Sequence, residues 1–279
     1  MIAQHDKAEA FAALHQEPGA FVIPNPWDAG SARILQYLGF QALATTSAGF
    51  AFAKGKPDEV RALSREEVIA NVAEIVGASV LPVSADLQNG YGDAPEDCAL
   101  TITWAAQAGA VGGSIEDASG DPDAPIYPVE FAAERIQAAA EAARKTGIPF
   151  MLTARAENYL NGRPDLADTI ARLQAYQEAG ADVLFAPGVS KKEEIAELVR
   201  SLDRPVNVIM GGKGIGLTVE DLSELGVKRI SIGSAFARTA LAAFMNAARE
   251  VQAQGTFQFG ERTVPFAELN QIFAAWSKD

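Results

Sequence analysis

From about residue 21 to residue 250 the chain alternates between two patterns of apolar and polar positions. Short, nearly continuous runs of β-branched and apolar residues have the length of strands buried on both faces. Between them lie longer segments in which apolar or alanine positions recur every three or four residues, the period of a helix packed on one side. The strand-like runs are Phe21–Asn25, Ala42–Thr46, Leu81–Asp86, Gly112–Asp117, Phe150–Arg155, Val183–Pro187, Val206–Met210 and Arg229–Gly233. Helices are predicted between them, among them Arg65–Val76, Pro128–Lys145, Leu166–Ala179 and Lys192–Arg200. Alternating strands and helices imply a parallel sheet, and eight strands close it into an α/β fold of the (β/α)8 TIM-barrel type.

The punctuation has a repeat of its own. Leu38-Gly39, Ala108-Gly109, Ala179-Gly180 and Leu225-Gly226 precede the even-numbered strands, and Pro82, Pro149 and Pro205 stand near the start of three odd ones. Glycine just past a helix accepts the left-handed conformation that ends it, and proline blocks its continuation. Ser64, Ser190 and Thr218 precede acidic turns and read as N-caps. An open doubly wound sheet is the alternative, but it usually shows Gly-x-Gly-x-x-Gly after its first strand, where this chain has Asn25-Pro26-Trp27-Asp28. The reading is one domain over 1–279, with an N-terminal helix in 1–20, the barrel in 21–251 and a tail in 252–279. The tail carries an extra helix over Pro265–Trp276 and the side chains Phe257, Phe259, Phe266, Leu269, Ile272, Phe273 and Trp276. So much apolar surface must be buried on the barrel or on a second subunit.

Composition narrows the partners. The 279 residues suit one barrel of about 250 residues, and 48% apolar with 21% charged residues is ordinary for a packed core. No apolar run approaches the roughly 20 residues of a membrane span. Net charge is −13 and no basic cluster exceeds Lys191-Lys192, which argues against nucleic acid and anionic membranes. The first sixteen residues have mixed charge and no signal-peptide core, and one cysteine, Cys98, leaves no internal disulfide; a cytoplasmic location is expected. Cys98 falls in the helix after the third strand and is expected to be buried and inert.

Functional residues of such barrels lie at the C-terminal strand ends. Here those ends read Asn25-Pro26-Trp27-Asp28, Thr45-Thr46-Ser47, Asp86 with Gln88-Asn89-Gly90-Tyr91-Gly92, Glu116-Asp117, Arg155-Ala156-Glu157-Asn158 and Gly211-Gly212-Lys213. Asp86 and Glu116 come from neighbouring strands, ~4.8 Å apart, and two carboxylates in one cavity repel unless a cation or proton lies between them. Both histidines, His5 and His15, sit in the N-terminal segment, so the donors are oxygens, which suits Mg²⁺ or Mn²⁺ with retained waters. Arg155 offers a planar fork for a substrate carboxylate, and the amides of Thr46, Ser47 and Ala48 offer donors to another anionic oxygen. One acid at a strand end is more often a loop cap than a ligand; charged residues on three adjacent strands favour a site. Tyr91, Asn89 and Gly90 beside Asp86 are expected to line it. Trp27 reads as a packing residue or as a wall of the site, and Lys213 as a solvated lysine or a phosphate ligand.

At these residues the sequence resembles the isocitrate lyase and phosphoenolpyruvate mutase superfamily. The resemblance rests on Asn25-Pro26-Trp27-Asp28-Ala29, Thr45-Thr46-Ser47-Ala48-Gly49, Asp86-Leu87-Gln88-Asn89-Gly90-Tyr91-Gly92 and Gly113-Ser114-Ile115-Glu116-Asp117, and runs on through Arg155-Ala156-Glu157 and Ser234-Ala235-Phe236. It implies Mg²⁺-dependent cleavage or formation of C–C or P–C bonds next to a 2-oxo acid. It also implies a dimer or tetramer whose subunits exchange the eighth barrel helix. Asp86 would bind the metal, Glu116 would do so directly or through water, and Asp58 matches an aspartate near it. Arg155 and the amides of Thr46 and Ser47 would hold the substrate. Two departures stand out. Gln88 replaces the second acid of the usual Asp-x-Asp-x-Gly-Tyr-Gly loop. The segment Ala118–Pro125 lacks the Cys and His of isocitrate lyases and the Lys and Asn of the mutases.

Three functions are compatible with these residues. The first is a lyase cleaving a C–C bond of a small 2-oxo or 2-hydroxy (di)carboxylate, with Tyr91, Glu157 or metal-bound water as proton donor and no isocitrate lyase activity. The second is a phosphonate-type enzyme, and the third a catalytically weak binder of 2-oxo acids. Asp117–Pro128, with three prolines and three aspartates, cannot be helical and is expected to form a mobile lid or a short rigid cover.

Overall fold

The computed structural model describes residues 2–60, 62–212 and 216–274; Lys213 and Trp276 lie outside them. Eight parallel strands form β1 (Phe21–Ile23), β2 (Leu43–Ala44), β3 (Val83–Asp86), β4 (Gly112–Glu116), β5 (Met151–Arg155), β6 (Val183–Phe185), β7 (Val206–Ile209) and β8 (Arg229–Ser231). Their order, β1-β8-β7-β6-β5-β4-β3-β2, is that of a nearly closed (β/α)8 barrel. β1 and β2 form no regular ladder, and Pro24, which has no N–H to give, stands just past β1. The seam is bridged instead by Ala44 N–H to the Pro24 carbonyl (3.0 Å) and by Asn25 Nδ2 to the Thr45 carbonyl (2.9 Å).

Helices α1 (Gln4–Leu14), α2 (Ala29–Tyr37), α3 (Ser47–Ala53), α4 (Arg65–Ala78), α5 (Pro95–Gln107), α6 (Val129–Arg144), α7 (Leu166–Glu178), α8 (Lys192–Ser201), α9 (Val219–Glu224), α10 (Ala235–Gln254) and α11 (Phe266–Ala274) complete the chain. The punctuation acts as expected: Gly39, Gly109, Gly180 and Gly226 all adopt positive φ, between 84° and 105°. Ser64 and Thr218 cap α4 and α9 through reciprocal capping boxes with Glu67 and Asp221. Ser190 does not cap α8. The N-cap there is Lys191, whose ammonium pairs with Glu194 at 2.8 Å, so the acidic first turn takes the place of a hydroxyl cap.

Two elements lie outside the eight units. α1 plugs the N-terminal end of the barrel, where Phe11, Leu14, Phe21, Ile23, Ala42 and Val111 form one buried cluster. Phe11, His15 and Phe21 stack edge to face, and His15 Nδ1–H donates to the Phe11 carbonyl at 2.8 Å. The tail is the opposite case. Ile272 is buried and α11 touches α2, but Phe257 and Phe266 remain 69% and 87% exposed. α10 buries Ala237 alone, leaving Phe244 and Met245 in the open.

Burial, with the Arg229 charge nearby, pulls His15 down to about 3 from its ordinary 6.5. The unfolded chain therefore binds the extra proton first, so this contribution is complete above pH 6.5 and lost as pH falls toward 3. Between pH 7.5 and 5.0, His15→Gln should lose about 2 kcal/mol less stability than the parent, at ~1.4 kcal/mol for each pH step of one below 6.5. Urea denaturation at the two pH values checks this, and parallel losses in both proteins would contradict it.

Candidate active site

A cavity of about 260 Å³ opens at the C-terminal ends of the strands. Asp58, Asp86, Arg155 and the segment Thr46–Ala48 line its upper part, and it reaches down to Asn207, Ser231 and Arg229. Parallel pairing places Asp86 opposite Ser114 and Glu116 opposite Arg155. That register lets one guanidinium serve three acids. Arg155 Nη1 meets Asp86 Oδ1 at 2.9 Å, and Nη2 meets Glu116 Oε2 at 2.9 Å and Glu157 Oε1 at 2.8 Å. Asp86 is fixed from its other side by the Ser47 amide, 2.9 Å from Oδ2, and its own amide donates to Thr45 Oγ1 at 2.8 Å.

Charge in this cluster is unbalanced. Burial raises Glu116 well above the usual carboxylate range, opposed by Arg155 and reinforced by Glu157 and Asp86. Glu157 is raised by burial as well, again against the pull of Arg155. Arg155 is itself held above its ordinary value: its acids outweigh the desolvation that would lower it. Asp58 is raised by partial desolvation and by the Asp86 charge. The Tyr91 phenol is pushed well up, first by burial and then by Asp86, Glu116 and Asp58, so it stays protonated at neutral pH.

The loop after β3 is strained and incompletely satisfied. Gln88 and Tyr91 take φ of 45° and 60°, rare for residues with a Cβ, and Gln88 Oε1, Asn89 Nδ2 and Tyr91 OH are buried without a protein partner. Gly90, at φ 84°, leaves 2.8 Å between a notional Cβ and Cys98 Sγ, so only glycine fits. Arg135 of α6 clamps the loop, donating to the carbonyls of Asn89, Gly92 and Asp93. Behind it Asp117, 2% exposed, accepts from Arg172 (3.0 Å), Tyr176 OH (2.6 Å) and the Glu157 amide (2.7 Å), which fixes the backbone at Glu157.

Several expected residues thus meet at the mouth: Thr46, Ser47, Ala48, Asp58, Asp86 and Arg155 line the cavity. Glu116 and Glu157 sit behind Arg155 and reach the site through it. Asn89 is fully buried and, with Gly90, shapes the loop rather than the cavity wall. The Trp27 carbonyl accepts from Asn71, its Cβ packs at Gly49, and it does not line the cavity. Cys98 is buried, its thiol raised to about 11. The expected lid is a closed hairpin, with an antiparallel bridge between Ala118 and Ile126 and the Tyr127 amide on the Asp117 carbonyl. It rests against Val60, beside the mouth. Arg229, Asn207 and Ser231 belong to no motif in the sequence; polar residues at alternate positions of β8 are the one sign of a polar barrel interior that it carries.

Comparison with known proteins gives the arrangement a family. The model of the family described as phosphoenolpyruvate phosphomutase matches residues 11–252. The chain belongs to the isocitrate lyase and phosphoenolpyruvate mutase superfamily. A crystal structure of a candidate lyase/mutase from Burkholderia cenocepacia J2315 is 57% identical, with a TM-score of 0.95 over 98% of this chain and 97% of that one. The 2-methylisocitrate lyase of Escherichia coli K12 is 29% identical over 72% of this chain and 69% of its own length. Oxaloacetate decarboxylase 2 of Pseudomonas fluorescens Pf0-1 is 29% identical over 98% and 94%. Superfamily members are lyases and mutases that generally use Mg²⁺.

The residues present fit that ion in one manner only. Among the described residues, no three acidic, histidine or cysteine side chains converge to hold a metal by themselves. Mg²⁺ keeps several waters and needs only one or two carboxylates plus substrate oxygens. Asp86, facing the cavity, would be the direct ligand, Asp58 is the second acid on the wall, and Gln88 Oε1 is a buried acceptor still without a donor.

The Asp117 network yields a stability prediction. Asp117→Ala strips Arg172 and Tyr176 of their buried acceptor and should cost about 3 kcal/mol, read from the urea midpoint. A loss below about 1 kcal/mol, the scale of an exposed pair, would show that Asp117 does not carry this load.

Proposed function

We propose that the protein is a Mg²⁺-dependent lyase that cleaves a C–C bond beside the oxo group of a small 2-oxo or 2-hydroxy mono- or dicarboxylate, and is not a standard isocitrate lyase. The observation that carries this reading is the guanidinium of Arg155, held by Asp86, Glu116 and Glu157 at the mouth of a small cavity. A volume of about 260 Å³ lies below the ~300–1,000 Å³ of drug-sized sites, which favours a small substrate. The names of the E. coli and P. fluorescens relatives, a methylisocitrate lyase and an oxaloacetate decarboxylase, support the same chemistry.

Mg²⁺ at Asp86 would supply a Lewis acid for the oxo group. The chain's own groups do the remainder. Arg155 and the amide of Ala48 bind and orient the carboxylate, with the Ser47 amide already committed to Asp86. Tyr91 is kept neutral by burial and by the acids around it. Its hydroxyl is buried and does not line the cavity, so it would serve as the proton donor for the carbon left after cleavage only if the loop after β3 uncovered it. Glu157 positions Arg155 through Nε at 2.9 Å. Without a cysteine or histidine at the mouth, the isocitrate reaction lacks its usual acid. A phosphonate-type enzyme or a weak 2-oxo-acid binder are the alternatives that the same assay separates.

A panel of oxaloacetate-type 2-oxo acids, 2-hydroxy dicarboxylates, phosphonopyruvate and isocitrate, each with Mg²⁺, is the test. Turnover should fall on the oxo and hydroxy acids; isocitrate cleavage at about 1 s⁻¹ or faster would overturn the reading. Asp86→Ala should lose Mg²⁺ binding by calorimetry and about 10²-fold or more in rate, the scale of a lost Lewis acid.

We also infer that α10 and the tail pack on another copy of the chain, giving a homodimer or homotetramer. The exposed Phe244, Phe257 and Phe266 support this. Sedimentation should return at least twice 29.4 kDa, and Phe244→Glu should shift the mass toward the monomer. A parent that sediments as a monomer at micromolar concentration would refute it.

A further inference from the structure

The lower half of the cavity holds a second guanidinium that none of the chemistry above uses. Arg229, the first residue of β8, is 5% exposed and reaches across the barrel interior. Its Nε donates to Asn207 Oδ1 on β7 and its Nη2 to Thr153 Oγ1 on β5, both at 2.9 Å. Nη1 is buried and no protein acceptor reaches it. Arg155 has three acids; Arg229 has none among the described residues, and burial alone pulls it down to about 9. It is still a cation at neutral pH. A buried charge without a partner is strongly destabilising, yet this one forms part of the wall of the cavity.

We propose that Arg229, oriented by Asn207 and Thr153, is an anion subsite at the floor of the cavity that takes the second carboxylate of a small dicarboxylate. The geometry suits such a molecule. Thr153, which Arg229 contacts, and Arg155 lie two residues apart on one face of β5, with their Cα atoms about 6.6 Å apart along the strand. The carboxyl carbons of an extended four- or five-carbon diacid are about 4–5 Å apart, from C–C bonds of ~1.5 Å. Hydrogen bonds at each end span the rest. Arg155 and the Ala48 amide hold the carboxylate beside the oxo group, and Asp58 and Asp86 disfavour a second one at the mouth, so the far carboxylate goes down and the oxo end stays up. That orientation rests on the lyase reading; the anion subsite does not.

The test uses two five-carbon probes that differ only at the far end, 2-oxoglutarate and 2-oxovalerate, titrated calorimetrically into the full chain with Mg²⁺. The parent should bind 2-oxoglutarate at least 10-fold more tightly. Arg229→Met should weaken 2-oxoglutarate by 10-fold or more and leave 2-oxovalerate within 2-fold, while Arg229→Lys, which keeps the charge, should keep the preference. Thermal melts check that each variant folds. Unchanged 2-oxoglutarate affinity in Arg229→Met, or an equal loss for both probes, overturns the subsite and leaves Arg229 as a water-solvated core residue. If Arg229→Met does not fold, the parent decides: no preference for the diacid, or no binding of it, overturns the proposal. Discrimination between the probes without turnover of any 2-oxo acid would sink the lyase reading and leave the subsite standing.

Discussion

Three carboxylates share one guanidinium at the mouth of this barrel, and most of the surrounding structure depends on that arrangement. One positive charge cannot neutralise three negative ones, and burial makes the imbalance costly. The protein answers by raising Glu116 and Glu157 and by fixing every partner from behind. Asp86 is pinned by Ser47 and Thr45, Glu157 by Asp117, and Asp117 in turn by Arg172 and Tyr176. What remains is a preorganised cluster of carboxyl groups around one fixed cation, with Asp86 and Arg155 both on the cavity wall.

The strand register makes the cluster possible. Parallel pairing of β3, β4 and β5 places Asp86, Glu116 and Arg155 at the ends of three adjacent strands, close enough for one planar fork to reach both acids. The cost appears next door, in the positive φ of Gln88 and Tyr91 and the unsatisfied atoms around them. Arg135 holds that loop through three carbonyls, so the rigidity of the site is imported from α6 rather than generated within the loop.

The barrel is legible in the sequence because its signals are local. Strand-length apolar runs, Gly39, Gly109, Gly180 and Gly226 past their helices, and the caps at Ser64 and Thr218 all act within a few residues of themselves. Ser190 misleads because an ion pair one residue on satisfies the same helix end. The charged strand ends mark the mouth for the same reason, since fold and position together decide what a strand end faces. Arg135, Arg172 and Arg229 are not legible as parts of the site. A charged residue within a helix or strand carries no local mark of a partner that arrives from another element. Gln88 stands out in the sequence as a departure, but its strained backbone emerges only from the folded loop.

The plug formed by α1 bears on the order of events. Phe11, Leu14 and the stacked His15 stop the barrel at its lower end, so the cavity communicates with solvent at the strand C-termini. The cleavage proposed above, if it takes place in such a chamber, yields two fragments with the strand C-termini as their doorway to the bulk. The fragment nearer the doorway must depart before the deeper one can. Release is then sequential by architecture, and the fragment that lingers at the bottom is the one that competes with the next substrate for entry.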